Sequence, residues 1–273
     1  MYINKIKFTP KRYSSGELKL VRSYLDSFVC DGKAEILFEN DFSIFELLLV
    51  LDYYKTQNIK TDLILSYLPY QRMDHNGRNE LNTLQNVANL FNNQNLDSIT
   101  ICEPHCDIKC FKNSKSLSLI KKMKDVVFSQ IDFDNEQDFV VLTDKGGFQR
   151  YNDIAKNVVY FEKQRDSQTG LIVKQQMIGK IDPTKKILVV DDIISTGDTI
   201  VNILDELCLQ GAKQIYIMSG HFENNKYNHR LFEFENVQKI YSTNSLRKIG
   251  TKKLKLFDVK ELVYGQTKRT KNC

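Results

Sequence analysis

Little in this chain punctuates it. Four prolines and twelve glycines in 273 residues leave the ends of its elements weakly marked. No internal repeat and no long low-complexity tract breaks the pattern. No apolar run approaches the roughly 18 residues of a membrane span, which excludes a transmembrane helix. The start, Met1-Tyr-Ile-Asn-Lys-Ile-Lys7, lacks the apolar stretch and the small-residue cleavage site of a secretory signal. A cytoplasmic protein with no membrane partner is therefore expected. Dense basic blocks with interleaved aromatics are absent too, and net charge is only +5, from 39 basic and 34 acidic residues. That mild excess suits polyanionic small molecules, and no nucleic-acid partner is expected.

The six cysteines give no zinc pattern. Cys102, Cys106 and Cys110 are spaced by four, with His105 among them, and on a helix they would share one face. Structural zinc sites usually pair cysteines more closely, so ordinary reduced thiols are the better expectation.

What is present is alternation. Hydrophobic content of 41% supports real cores, and strand-like runs recur between segments of helix spacing. Ala34–Phe38, Asp62–Leu68, Ser98–Cys102, Phe139–Thr143, Asn157–Phe161, Lys186–Val190 and Gln214–Ser219 read as strands. The helix candidates are Ser43–Tyr54, Asn82–Phe91, a segment from about Gly147, and the segment after Thr199. This order argues for an α/β protein with mainly parallel sheets covered by helices on both faces. The number of strands favours two such sheets. The polar and acidic stretch from Phe111 to Asp138 is the best boundary, giving domains 1–115 and 116–273.

The most informative run is Ile187-Leu-Val-Val-Asp-Asp-Ile-Ile-Ser-Thr-Gly-Asp-Thr199. Its apolar half reads as a buried parallel strand ending at Asp191 and Asp192. Ser195, Thr196, Gly197, Asp198 and Thr199 form a small-residue turn before a helix. Free backbone N–H groups and the helix dipole make such a turn a phosphate cradle. The preceding acids suit the hydroxyls of a ribose or a hydrated magnesium ion, so a phosphorylated sugar is the expected ligand.

Four further segments follow strand-like runs, where sites in such folds lie. In Leu68-Pro-Tyr-Gln-Arg-Met-Asp-His75, Arg72 is either a phosphate clamp or half of a surface ion pair. In Cys102-Glu-Pro-His105, the histidine either meets a ligand or is structural. Asp144, before Gly146 and Gly147, reads as a ligand-facing loop or as a plain turn into a helix. Lys163 and Arg165 alternate, so an extended chain points both one way. Two such cations suit charge spread over phosphoryl oxygens, or simply a solvated hairpin before the polar Asp166–Gly170.

Together these segments resemble, in order, the ribose-phosphate pyrophosphokinase family from about Tyr13 to Leu262. Tyr13-Ser-Ser-Gly-Glu17 is similar to its adenine-contacting Phe-x-Asp-Gly-Glu, and Glu46–Asp52 to its Glu-Leu-Leu helix. Leu68–Asp74 is similar to its ATP-holding Pro-Tyr-Ala-Arg-Gln-Asp loop, and Glu103-Pro-His105 to its Asp-Leu-His. Asp144–Gly147, Lys163-Gln-Arg165, the Asp191–Thr199 run and Thr243-Asn-Ser245 complete the series.

The resemblance implies two tandem phosphoribosyltransferase-like domains. It implies transfer of the β,γ-diphosphoryl group of Mg-ATP to the anomeric hydroxyl of ribose 5-phosphate. ATP would meet Tyr13, Ser15, Glu17, Arg72, Met73, Asp74 and His105. Mg2+ would meet His105 and Asp144. The sugar phosphate would meet Gly146, Gly147, Asp191, Asp192 and Ser195 to Thr199. Lys163, Arg165 and His105 would be catalytic, in a homo-oligomer of two or more subunits.

The chain departs from the family's pattern at three positions. Ser15 and Met73 each remove a nucleotide hydrogen bond, which leaves nucleotide preference open. Asp198 replaces a glycine that lies against the 5-phosphate. A carboxylate there disfavours a phosphomonoester dianion by about 1 kcal/mol, so ADP-ribose, as in NAD salvage, is an alternative acceptor. A type I phosphoribosyltransferase and a non-catalytic regulatory homologue are further alternatives.

Overall fold

The computed structural model describes residues 1–40, 42–75, 81–165 and 172–265, of which 163–165 and 172–175 by backbone alone. The chain divides into two units, Met1–Ser118 and Leu119–Cys273.

The first unit runs β1 (Tyr2–Ile3), β2 (Ile6–Lys7), β3 (Lys11–Arg12), β4 (Leu18–Lys19), α1 (Arg22–Asp26), β5 (Lys33–Phe38), α2 (Ile44–Thr56), β6 (Lys60–Leu65), α3 (Thr83–Asn92), β7 (Ser98–Cys102) and β8 (Ser114–Leu117). Its main sheet has the order β2-β1-β5-β6-β7-β8, with β5 to β8 parallel and β1 antiparallel to β5. The strand cores are leucine and isoleucine runs because helices cover them. Leu47, Val50, Leu51 and Tyr54 of α2 and Leu84, Val87, Ala88 and Phe91 of α3 pack into that core. Ser43 starts α2 with a capping box, exchanging hydrogen bonds with Glu46.

The second unit runs α4 (Leu119–Ile131), β9 (Phe139–Leu142), α5 (Lys145–Tyr151), β10 (Val158–Arg165), β11 (Ile172–Ile178), β12 (Ile187–Ile194), α6 (Asp198–Leu209), β13 (Ile215–Phe222), a 3-10 segment (Lys226–Phe232), β14 (Val237–Thr243), β15 (Leu254–Phe257) and α7 (Val259–Tyr264). The sheet order is β11-β10-β9-β12-β13-β14-β15, parallel except for the β10–β11 hairpin. Successive residues of β12 enter opposite cores. Ile187 and Val189 pack with α6, and Leu188 and Val190 pack with α4. Both units are thus mainly parallel sheets flanked by helices.

First, the chain divides after Ser118, inside the stretch read as the boundary, Phe111 to Asp138, and that stretch carries β8 and α4. Ser114–Leu117 is polar because it is an edge strand paired only with β7. In α4, Ile120, Met123, Val127 and Ile131 keep helical spacing and are all buried, while lysines fill the other face. Secondly, β12 does not end at the two acids. Its ladder with β13 continues through Ile193 and Ile194.

Among the described residues no helix is long and apolar enough to cross a membrane. Cys106 and Cys110 lie in turns after β7 rather than on a helix with Cys102. The five described cysteines are free, and burial raises the Cys102 and Cys106 thiols to about 12.

Candidate active site

In the first unit, Tyr13 to Glu17 form the turn of the β3–β4 hairpin. The Tyr13 N–H donates to the Glu17 carbonyl, and the Gly16 N–H to the Tyr13 carbonyl, each at 2.9 Å. Ser15 Oγ donates to Glu17 Oε2 at 2.9 Å, and the Lys19 ammonium lies 5.8 Å from the Tyr13 ring centre. Tyr13 is 54% exposed. Arg12 anchors the turn, donating to the Gly16 carbonyl and to Glu46 Oε1 on α2.

That anchor carries a pH signature. Burial pushes the Glu46 carboxyl up, but Arg12 and the Ser43 donors outweigh it and hold the group below its ordinary value of 4.5. A depressed carboxyl contributes stability that is present above that value and lost as pH falls through its folded-state pKa. Urea melts should show wild type losing more stability than Glu46→Gln from about pH 6 to about pH 3, by roughly 1 kcal/mol for this part-exposed pair.

The loop after β6 carries Arg72, Met73 and Asp74. Tyr70 takes a left-handed φ of 62°, and the Met73 N–H closes the turn onto the Tyr70 carbonyl at 2.9 Å. Arg72 and Asp74 are exposed, Met73 is half-buried, and Asp74 Oδ1 lies 2.8 Å from His75 Nδ1. Gln71 does what sequence reading missed. Fully buried, it accepts the backbone N–H of His105 on Oε1 at 2.8 Å. It thereby ties the loop of Arg72 to the loop of His105, 34 positions away. Its Nε2 has no hydrogen-bond partner among the described residues. Beside half-buried His105, Glu103 has φ 42° and is buried, accepting the Ser118 hydroxyl at 3.0 and 3.2 Å.

In the second unit, Asp144 caps α5, its Oδ1 accepting the Gly147 N–H at 2.7 Å. A Cβ on Gly146 would lie 3.3 Å from that oxygen, so small residues let the backbone turn here. The two acids of β12 face different partners. Asp191 Oδ1 accepts the buried Thr143 hydroxyl at 2.8 Å and the Asp192 N–H at 3.0 Å. Asp192, 2% exposed, pairs with Arg150 in the last turn of α5. Burial disfavours the charged Arg150 guanidinium, but Asp192 outweighs this and raises its pKa. Arg150 was given no role from sequence, since nothing in a heptapeptide helix marks it.

The turn from Ser195 to Thr199 opens α6. Gly197 has φ 85°, and a Cβ there would stand 3.2 Å from Leu231, so glycine is required. No side chain caps the first turn of α6. Ser195 Oγ donates to Glu223 Oε2, and buried Asn228 donates to the Ser195 and Glu223 carbonyls at 3.1 and 2.8 Å. Asp198 is turned outward, 62% exposed, accepting Thr196 Oγ1 at 2.7 Å and pairing with Arg230 at 3.0 Å. The premise that raised ADP-ribose, an unmatched carboxylate against the phosphate, is therefore not met.

Lys163 and Arg165 lie on β10, opposite Gln175 and Ile172 of β11. The polar Asp166–Gly170 lies outside the described residues. Thr243 and Ser245 serve a buried network, with Ser245 Oγ 2.8 Å from His221 Nδ1 and the Thr243 hydroxyl on the Gly220 carbonyl at 2.7 Å. Among the described residues, no group of three or more His, Cys, Asp and Glu side chains gathers for a metal.

Comparison with known proteins follows the same lines. The phosphoribosyl transferase domain matches residues 112–252, more than half of the chain. A ribose-phosphate pyrophosphokinase of Sulfurisphaera tokodaii is 26% identical, covering 74% of this chain and 71% of that one. The Sulfolobus acidocaldarius enzyme of that name is 28% identical, covering 75% and 71%. The phosphoribosylpyrophosphate synthetase structure from Mycobacterium smegmatis superposes with a TM-score of 0.72, at 20% identity, over 93% of this chain and 87% of that one. That likeness shows the fold, two mainly parallel sheets flanked by helices.

Proposed function

The chain belongs to the phosphoribosyl transferase domain family, and on that premise we propose that it acts as a ribose-phosphate pyrophosphokinase. The observation that carries this reading is the first α/β unit, with Gln71 tying the loops of Arg72 and His105. A type I phosphoribosyltransferase needs the second unit's phosphate turn but has no use for these loops. Its curated relatives carry the pyrophosphokinase name, and neither the transferase nor the regulatory alternative is favoured.

The acceptor's anomeric oxygen attacks the β-phosphorus of ATP. The bond from that phosphorus to the α,β-bridging oxygen breaks, and AMP departs with that oxygen. The hydroxyl proton leaves to solvent or base. Tyr13, Ser15 and Glu17 take the adenine, while Arg72, Asp74 and His105 hold the nucleotide's polar groups. The uncapped turn of α6 takes the 5-phosphate through backbone amides. Asp191 holds ribose hydroxyls, oriented by Thr143, and Asp192 pairs with Arg150. Lys163 and Arg165 neutralise charge developing on the phosphoryl oxygens.

Asp144 keeps one carboxylate oxygen beyond its cap, and Asp191 is half-buried. Oxygen donors this sparse fit magnesium, which usually retains waters and binds through one or two carboxylates plus substrate phosphates. Bound there, the ion would supply charge neutralisation at the phosphates. A cytoplasmic homo-oligomer remains part of the proposal.

Initial rates with Mg-ATP test it. AMP release should require ribose 5-phosphate, and ADP-ribose should not replace it. Equal or faster release with ADP-ribose would overturn the acceptor assignment. AMP formed only from phosphoribosyl pyrophosphate and adenine would favour the transferase.

A further inference from the structure

Asp198 and Arg230 form an ion pair at the turn that opens α6, with Nη1 3.0 Å from Oδ1 and both side chains more than half exposed. Arg230 comes from the 3-10 segment after β13, and that segment also shapes the turn. Asn228 holds the Ser195 carbonyl, and Leu231 fills the space beside Gly197. The guanidinium is therefore delivered by the element that fixes the loop. Thr196 binds the other carboxylate oxygen at 2.7 Å, so Asp198 is held from two sides.

A carboxylate at the first position of a helix favours the empty turn, because it satisfies the dipole that an incoming anion would use. Left unmatched, it would weaken binding of a phosphate dianion about fivefold. Arg230 cancels that charge and draws it aside. One of its N–H donors serves Asp198, so its effect on the incoming anion passes through that carboxylate.

We propose that Arg230 is a positioning residue for the acceptor, compensating Asp198 so that the α6 turn receives a phosphomonoester dianion. The inference rests on the reading of that turn as the 5-phosphate site.

Steady-state kinetics of Arg230→Gln, Arg230→Lys and Arg230→Gln/Asp198→Asn test it. Arg230→Gln should raise KM for ribose 5-phosphate about fivefold while kcat and KM for ATP move less than about twofold. Arg230→Lys, which keeps the charge without the fork, should fall between. Adding Asp198→Asn should return KM to within about twofold of wild type, since the charge to be cancelled is gone. A merely structural Arg230 would give no such rescue. An unchanged KM in Arg230→Gln, or a double variant as poor as the single, overturns the proposal. Calorimetric titration with ribose 5-phosphate alone reads the same ordering without turnover. That ordering in a protein that releases no AMP would sink the functional reading and leave this inference standing. Equal Kd values in a protein that does release AMP would do the reverse.

Discussion

Lys163→Ala is expected to lower kcat by about three powers of ten, with the Kd for ATP changed by less than about twofold. On the proposed chemistry, a cation at the transferring diphosphoryl group would act on charge that exists only in the transition state. Such an interaction lowers kcat and kcat/KM together and leaves ground-state binding nearly alone. The backbone places Lys163 on β10 two positions before Arg165, in the hairpin at one edge of the second sheet. Arg165→Ala should behave the same way, and the double variant should lose less than the sum of the two. Near-normal turnover of Lys163→Ala would defeat the proposed chemistry. A raised Kd for ATP with unchanged kcat would move the residue from catalysis to binding.

Asp192→Ala carries the largest expected loss of stability. Its side chain is 3% exposed and meets the Arg150 guanidinium, which is 34% exposed. Breaking one side of a fully buried pair typically costs about 3–5 kcal/mol, because the other charge is left in a poor solvent. Arg150 reaches water over part of its surface, which lowers the expectation to roughly 2–3 kcal/mol. Arg150→Met in the Asp192→Ala background should recover at least about half of that loss, since no charge is then stranded. Urea unfolding of the three variants measures it. A loss below about 0.5 kcal/mol in Asp192→Ala would show that the pair does not hold β12 to α5. Asp191→Ala should differ, raising KM for the acceptor with a smaller loss of stability, because the Thr143 hydroxyl and the Asp192 N–H that it accepts carry no charge to strand.

The parallel strands were legible because they are buried on both faces and read as short apolar runs. Ser98–Cys102 in sequence is Ser98–Cys102 in the structure, and the helix read from Ser43 begins at Ile44 with Ser43 as its cap. Edge elements were not legible. β8 is a polar strand with a partner on one side only, and β3 and β4 are two-residue strands around a turn. Nothing in two residues carries a period. In α4 the apolar face was present, but the helix lies between the polar Lys112–Ser116 and the acidic Asp132–Asp138, which drew the reading toward a boundary.

The motifs proposed for the site were visible as residue types, whereas the residues that support them were not. Gln71 and Arg150 act through partners 34 and 42 positions away, and Arg230 through one 32 away. Only the fold brings those pairs together. Asp198 shows the consequence. Read alone it argued against a phosphate monoester, and Arg230 beside it removes the objection.

The most direct measurement is the fate of the β-phosphorus. Protein incubated with Mg2+, ribose 5-phosphate and ATP labelled at that atom should yield labelled sugar diphosphate and unlabelled AMP in equal amounts. Label recovered in ADP, or in free diphosphate with no sugar product, would contradict transfer of the β,γ-diphosphoryl group to the sugar.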